Sequence, residues 1–250
     1  DELKGKYALV TGGTRGFGRA IAMRLAHEGA FVIVNYRRSR SEAQEVVDQI
    51  TGSGEQAVAL RADVGNPESL DAMFEEIERR FGRLDIVVAN AAFGVPGPLL
   101  EATEHHWEVT MAASARSLLD LAKRAVPLMN QGWGRIISIT SEGAQRVLPG
   151  YGIVGAAKGA LEALTRSLAV ELAPRGILVN GVLAGISDTK SFRAVPEAER
   201  ALREAERRTP AGRTVEPEDV ANVVAFLASN QASMICGQFV VVDGGHGIVA

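Results

Sequence analysis

A single α/β domain, a doubly wound parallel sheet of about seven strands with helices on both faces, is the Rossmann-type fold that the sequence predicts. Three observations predict it. Short apolar runs alternate about seven times with segments whose apolar residues recur at helical spacing. Glycines 12, 16 and 18 sit at the first junction of such a run with such a segment. No linker, repeat or low-complexity stretch divides residues 1–250, so one domain is expected.

The elements follow in order. Residues 6–10 form a first apolar strand, ending in Thr11-Gly12-Gly13-Thr14-Arg15-Gly16-Phe17-Gly18. Ile21, Ala22 and Leu25 mark a helix over 17–27, closed by Gly29. Residues 31–35 are a second strand, 41–51 a helix with Val46, Val47 and Ile50 inward, and 56–61 a third strand before Asp63-Val64. Pro67 opens a helix running to Phe81, and 84–90 is a fourth strand. Thr103 caps one long helix through Trp107, Met111 and Leu118, with Pro127 near its end. Residues 135–140 and 177–183 are strands five and six, 217–229 a helix, and 238–242 the last strand before Asp243-Gly244-Gly245. The charged stretch 187–213, interrupted by Pro196 and Pro210, follows strand six. Open α/β sheets bind ligands at the carboxyl ends of their strands, so this insertion is a candidate lid.

Composition narrows the function. Hydrophobic residues make up 46% of the chain, enough for a sizeable core without staples. A net charge of −3 offers no basic field for nucleic acid. No apolar run reaches the ~18 residues of a membrane span. The only cysteine, Cys236, has no intrachain partner, which fits a reducing compartment. The first strand begins at about Tyr7, leaving no room for a signal peptide, so a soluble cytoplasmic protein is expected.

The glycine-rich turn lets backbone approach a pyrophosphate at a helix N-terminus, which points to a dinucleotide. The end of strand two chooses which one. A carboxylate there would bind ribose hydroxyls, but the chain has Asn35-Tyr36-Arg37-Arg38. Arg37 and Arg38, with Arg15 from the glycine loop, suit a 2′-phosphate and hence NADP(H). Asp63 and Val64 are placed for the adenine edge; Asp63 capping a turn is the plainer alternative.

Tyr151 and Lys158 lie seven residues apart, about two helical turns, so both face one way if a helix begins near Tyr151. A phenol beside an ammonium makes a proton donor aimed at a developing oxyanion. The competing reading is a core tyrosine and a surface lysine.

These residues together resemble the short-chain dehydrogenase/reductase family, over essentially the whole chain. The match rests on Thr11 to Gly18, Asp63-Val64, Asn90-Ala91-Ala92, Ser141, Lys158, Asn180 and Asp243-Gly244-Gly245. The resemblance implies that Lys158 binds the nicotinamide ribose and lowers the tyrosine pKa, and that Ser141 polarises substrate. It implies cofactor contacts at Gly12, Thr14, Arg15, Gly16, Phe17, Gly18, Asn90, Ala91, Gly185, Ile186 and Thr189. It also implies a homotetramer packed through the long helices and the C-terminal strand.

Three departures inform. The family's Tyr-x-x-x-Lys would place its acid at Val154, its relay asparagine falls at Ser114, and its Pro-Gly after strand six is Ala184-Gly185. Tyr-x6-Lys instead resembles the enoyl-acyl-carrier-protein reductase branch, nearest its NADPH-dependent type III. Leu161 to Arg166, Thr209 to Arg213 and Asn35-Tyr36 carry that closer likeness. Enoyl reduction puts charge on the thioester oxygen, two carbons from the attacked atom. A donor one turn earlier, ~4.5 Å along the axis, suits it. The main expectation is therefore NADPH-dependent reduction of enoyl thioesters, with an acyl-carrier-protein substrate in fatty-acid elongation. The alternatives are a ketoreductase or secondary-metabolite reductase, and a non-catalytic nucleotide binder.

Other candidates weigh less. His27, His105, His106 and His246 are scattered, no metal is expected, and His105-His106 reads as a cap or a solvated pair. Ser141 has no histidine in a hydrolase pattern. Phe93, Leu99, Leu148 and Ile186 are candidates for an acyl pocket. Arg193, Arg200, Arg203, Arg207 and Arg208 are candidates for docking an acidic carrier protein. Glu197, Glu199, Glu204 and Glu206 are interleaved with them, as on a solvated face. Arg116, Lys123 and Arg124 are a rival surface.

Overall fold

The computed structural model describes residues 2–129, 132–190, 192–194 and 198–249. Pro196 and Glu197 of the expected lid lie outside the described residues.

Seven strands form one sheet: β1 (Tyr7–Val10), β2 (Phe31–Tyr36), β3 (Ala57–Arg61), β4 (Ile86–Ala89), β5 (Gly134–Ser141), β6 (Ile177–Ala184) and β7 (Phe239–Val242). Their order is β3-β2-β1-β4-β5-β6-β7, and every pair is parallel. The winding reverses between β1 and β4, which opens a crevice at their carboxyl ends.

The alternation of strand side chains divides the core in two. Ala8, Val10, Val32, Val34 and Val88 point to one face and pack with α1 (Gly16–His27), α2 (Arg40–Gly52) and α8 (Pro217–Ala228). Leu9, Ile33, Val87, Ile136 and Val179 point to the other, against α3 (Pro67–Phe81), α5 (Ser117–Ala125) and α6 (Gly152–Leu172). Val46, Val47 and Ile50 of α2 are buried as their spacing predicts.

Local signals explain the helix ends near the crevice. The Asn66 side chain accepts the Ser69 N–H at 2.8 Å, Pro67 takes the first turn of α3, and Gly82 ends it at φ 64°. Thr103 caps α4 (Glu104–Met111) in a capping box that includes His106. That is the capping expected of the His105-His106 pair.

The expected single helix from Thr103 is instead two helices joined by one π-helical turn, Ala112–Arg116. Its cause is a contact distant in sequence. The Ser114 hydroxyl donates to the Phe93 carbonyl at 2.8 Å and accepts the Phe93 N–H at 3.2 Å. Such turns often mark functional positions. The lid contains α7 (Ala198–Arg208), which buries little beyond Ala198 and Ala205. None of the described helices is long and apolar enough to cross a membrane.

Candidate functional site

Strands of the crevice deliver their last residues to one place, and the candidate reacting groups gather at the end of β5. Ser141 is its final residue, and the 142–144 turn leads back toward α6. Tyr151 caps α6 in a non-helical conformation. Its ring lies against Gly143, where a Cβ would meet the ring carbons at 2.5 Å. That packing directs the phenol to Ser141: the two hydroxyl oxygens are 3.3 Å apart.

Lys158 is buried in the second turn of α6 and donates to the Ile139 carbonyl at 2.8 Å. The surface-lysine reading therefore fails. Ile139 and Ser141 are alternate residues of one strand. The ammonium and the phenol hence meet the strand about 6–7 Å apart. Seven residues of helix and two of strand bring both groups to one end of β5.

Burial sets the charge states. It pushes the Tyr151 phenol up, with the Glu142 charge adding and the Ser141 hydrogen bond opposing. The resemblance implied that Lys158 lowers this pKa; burial is the dominant influence here, and the Lys158 ammonium, directed to the Ile139 carbonyl, is not among the groups that shift it. Burial lowers Lys158 to about 8, against the raising charge of Glu162. Glu162 is itself buried, accepts from Thr140 Oγ1 at 3.1 Å and lies 3.9 Å from Arg166. This supporting carboxylate was missed in the sequence, although it stands one turn beyond Lys158.

Val154, at the family's acid position, is buried against Gly94, where a Cβ would overlap its side chain. A tyrosine cannot be presented there without displacing the loop after β4. Ser114, at the relay position, is spent on Phe93 as described above.

The candidate cofactor residues surround the crevice. Gly12 and Gly16 adopt φ values of 61° and 51°, which favour glycine. A Cβ on Gly18 would overlap the Gly12 carbonyl and the Asn90 amide, so the loop requires glycine there. Three groups brace it: Asn35 Oδ1 accepts the Gly12 N–H, Asn90 Nδ2 donates to the Thr11 and Gly12 carbonyls, and Thr11 Oγ1 accepts the N–H groups of Asn90 and Ala91. Asn35 and Thr11 were not singled out as site residues; polar side chains ending apolar strands were the available signal. Phe17 packs on the core, and Val64 is buried on the α3 side. Asp63 Oδ1 accepts the Gly65 N–H, the turn-capping alternative, while Oδ2 lies 3.6 Å from Arg37.

The lid root closes this side. Gly185 donates its N–H to the Val242 carbonyl, and the Ile186 carbonyl accepts from Val215. The Thr189 methyl reaches Gly16, Thr14 meets Glu42 Oε2 at 3.5 Å, and Lys190 is 3.5 Å from Glu42 Oε1. The Ser187 hydroxyl is buried here without a partner among the described residues. A glycine cradle with an unsatisfied hydroxyl beside it fits a bound dinucleotide.

Of the acyl-pocket candidates, Phe93 and Leu99 are exposed, while Leu148 and Ile186 are partly buried. Leu99 lies against Gly152, directly after Tyr151. The docking surfaces change character: Arg193 pairs with Asp188, Arg203 with Glu199 and Arg207 with Glu204. Arg116 of the π-helical turn and Arg124 of α5 bond to the 65–71 segment.

Known proteins match this chain over its length. A family profile described as enoyl-(acyl carrier protein) reductase matches residues 12–247. The 1-cyclohexenylcarbonyl-CoA reductase of Streptomyces collinus is 39% identical, covering 97% of this chain and 87% of its own. A short-chain dehydrogenase of Burkholderia cenocepacia J2315, solved in complex with NADP, superposes with a TM-score of 0.91 at 36% identity, covering 99% of this chain and 100% of that one. The reductase LugOII, described as catalysing keto-reduction at C1 during lugdunomycin biosynthesis, gives 0.90 at 36% identity over 100% of both chains.

Proposed function

This chain belongs to the short-chain dehydrogenase/reductase family, and from that premise we propose that it uses NADPH to reduce the carbon–carbon double bond conjugated to a thioester carbonyl. Secondary metabolism is the better-supported setting: the Streptomyces relative is named for a cyclohexenylcarbonyl-CoA, and LugOII for a biosynthetic product. Fatty-acid elongation is supported only by the description of the matching profile.

One observation carries the reading. The Tyr151 hydroxyl reaches Ser141 although the family's usual acid position is an inert, buried Val154. The donor pair thus survives, approached from one turn earlier.

The residues would act as follows. Bound NADPH would supply hydride to C3. As the C2=C3 electron pair moves toward the carbonyl, negative charge gathers on the thioester oxygen. Tyr151 donates its hydrogen bond to that oxygen, and the raised pKa keeps the proton on the phenol until it is needed. Ser141, 3.3 Å away, orients the phenol and offers a second donor. The enolate takes a proton from solvent at C2, which completes addition of H⁻ and H⁺ across the double bond. Lys158 stabilises the developing charge from the interior and holds the nicotinamide ribose.

Coenzyme A is the better-supported carrier, because the Streptomyces relative is named for a coenzyme A thioester. A homotetramer is our expectation for the assembly; light scattering on the purified protein tests it.

A second reading has its own support. A Ser–Tyr hydroxyl pair polarises a ketone as well as a thioester, and LugOII reduces a ketone. NADPH oxidation at 340 nm separates them. Turnover of crotonyl-CoA or 1-cyclohexenylcarbonyl-CoA supports conjugate reduction. Turnover of acetoacetyl-CoA or a polyketide-like ketone alone selects the second reading, and NADPH binding with no turnover of either class selects a non-catalytic role.

A further inference from the structure

Tyr151 joins α6 by its carbonyl alone, which accepts the Gly155 N–H at 2.7 Å. Its φ of −106° and ψ of 10° lie outside helical values. The residues on either side of it are gripped by one element, the loop after β4. Gly97 donates its N–H to the Gly150 carbonyl at 2.8 Å. The Leu99 side chain covers Gly152, where a Cβ would meet Leu99 Cδ1 at 3.1 Å. Gly94 of the same loop packs on Val154. Three contacts thus lay the loop along the start of α6, with the backbone of the donor between two of them.

One of the three is incomplete. Leu99 is 60% exposed, so most of its apolar surface faces solvent while one edge rests on Gly152. An exposed leucine keeps rotamer freedom that a covered one loses. The grip on Gly152 is therefore loose until something apolar covers Leu99. Leu148 stands on the other side of the tyrosine, beside Gly143 with the Tyr151 ring. A thioester oxygen bonded to Tyr151 brings its acyl group to this apolar rim.

We propose that Leu99 is a positioning residue: an acyl body that covers its exposed face presses it onto Gly152 and fixes Tyr151 at the thioester oxygen. The substrate class is then an enoyl thioester with apolar bulk beyond the reacting double bond. Binding energy from that remote bulk goes into orienting the donor, so it appears in kcat rather than in KM. The inference rests on the conjugate-reduction reading above and names the substrate class for it.

Steady-state kinetics with NADPH and the coenzyme A thioesters of crotonate and trans-2-octenoate test it. Wild type is expected to show a kcat roughly fivefold or more higher on the octenoyl thioester. Leu99→Ala should erase that rise while the octenoyl KM stays within about threefold of wild type. Leu99→Met, which keeps an apolar side chain of similar reach, should restore most of it. Gly152→Ala leaves the leucine in the chain but gives its seat to a methyl group. Alanine favours the helix, so the melting temperature should not fall, while kcat on the octenoyl thioester should drop by about threefold or more. That variant decides the matter if Leu99→Ala does not fold. A wild-type kcat independent of acyl size overturns the assignment alone. So does a Leu99→Ala protein that raises the octenoyl KM with kcat unchanged, because the leucine is then only a wall. Absence of turnover with either thioester overturns the conjugate-reduction reading, and the assignment with it.

Discussion

The hydroxyl of Tyr151 lies 3.3 Å from the hydroxyl of Ser141, although Tyr151 stands three residues ahead of the family's acid position. The tyrosine sits outside α6 as its cap, and its ring leans on Gly143 to reach the end of β5. Removing only the oxygen should therefore remove a donor and leave the packing. Tyr151→Phe is expected to lower kcat on the order of 10²-fold, the loss usual for one oxyanion donor. NADPH affinity, measured by fluorescence titration, should stay within about twofold of wild type. An unchanged kcat would remove Tyr151 from the chemistry.

Lys158 links stability to pH. Its pKa is lowered from 10.5 to about 8 by burial. Between those values the unfolded chain holds the proton and the folded chain does not, so stability rises with pH across the window. Below about pH 8 both states are protonated, and folding bears the full cost of burying the charge. Lys158→Met should abolish this rise. The wild-type minus variant difference in urea-unfolding free energy should move by about 3 kcal/mol between pH 7.5 and 10.5, in the direction of a more stable wild type at high pH. A constant difference would contradict the assignment.

Glu162 raises the Lys158 pKa from one helical turn away, so its neutralisation has a defined sign. In Glu162→Gln the ammonium loses its nearest opposing charge, and its pKa falls further. The alkaline limb of kcat/KM should then move to lower pH, while a merely structural role would lower activity equally at all pH values. Arg166, 3.9 Å from Glu162, is exposed enough that water screens its share.

Val154 is expected to resist conversion to the usual family pattern. Gly94 packs directly on it, and it is 7% exposed. Val154→Tyr overfills that contact and should cost about 1–3 kcal/mol by chemical denaturation. A stable variant with raised ketone reduction would show instead that the loop after β4 yields easily.

Much of this architecture was legible in the sequence because strand and helix periodicity are local. The crevice was legible too, since Gly12, Gly16 and Gly18 announce the first strand–helix junction by residue type. The π-helical turn was not, because its cause is the bond of Ser114 to Phe93, 21 residues away and without any periodic signal. The same holds for Glu42 and Lys190, which meet across the lid root. Glu162 was readable at helical spacing from Lys158, but a carboxylate on a helix ordinarily reads as solvated, and only burial distinguishes this one.

The position at which hydride enters the substrate tests the central claim most directly. NADPH deuterated at C4 of the nicotinamide, on the transferred face, is incubated with the protein and crotonyl-CoA, and the product is analysed by NMR. Conjugate reduction predicts deuterium at C3 of butyryl-CoA and a solvent proton at C2. Deuterium on a carbinol carbon, formed from a ketone substrate while crotonyl-CoA remains unchanged, would contradict it.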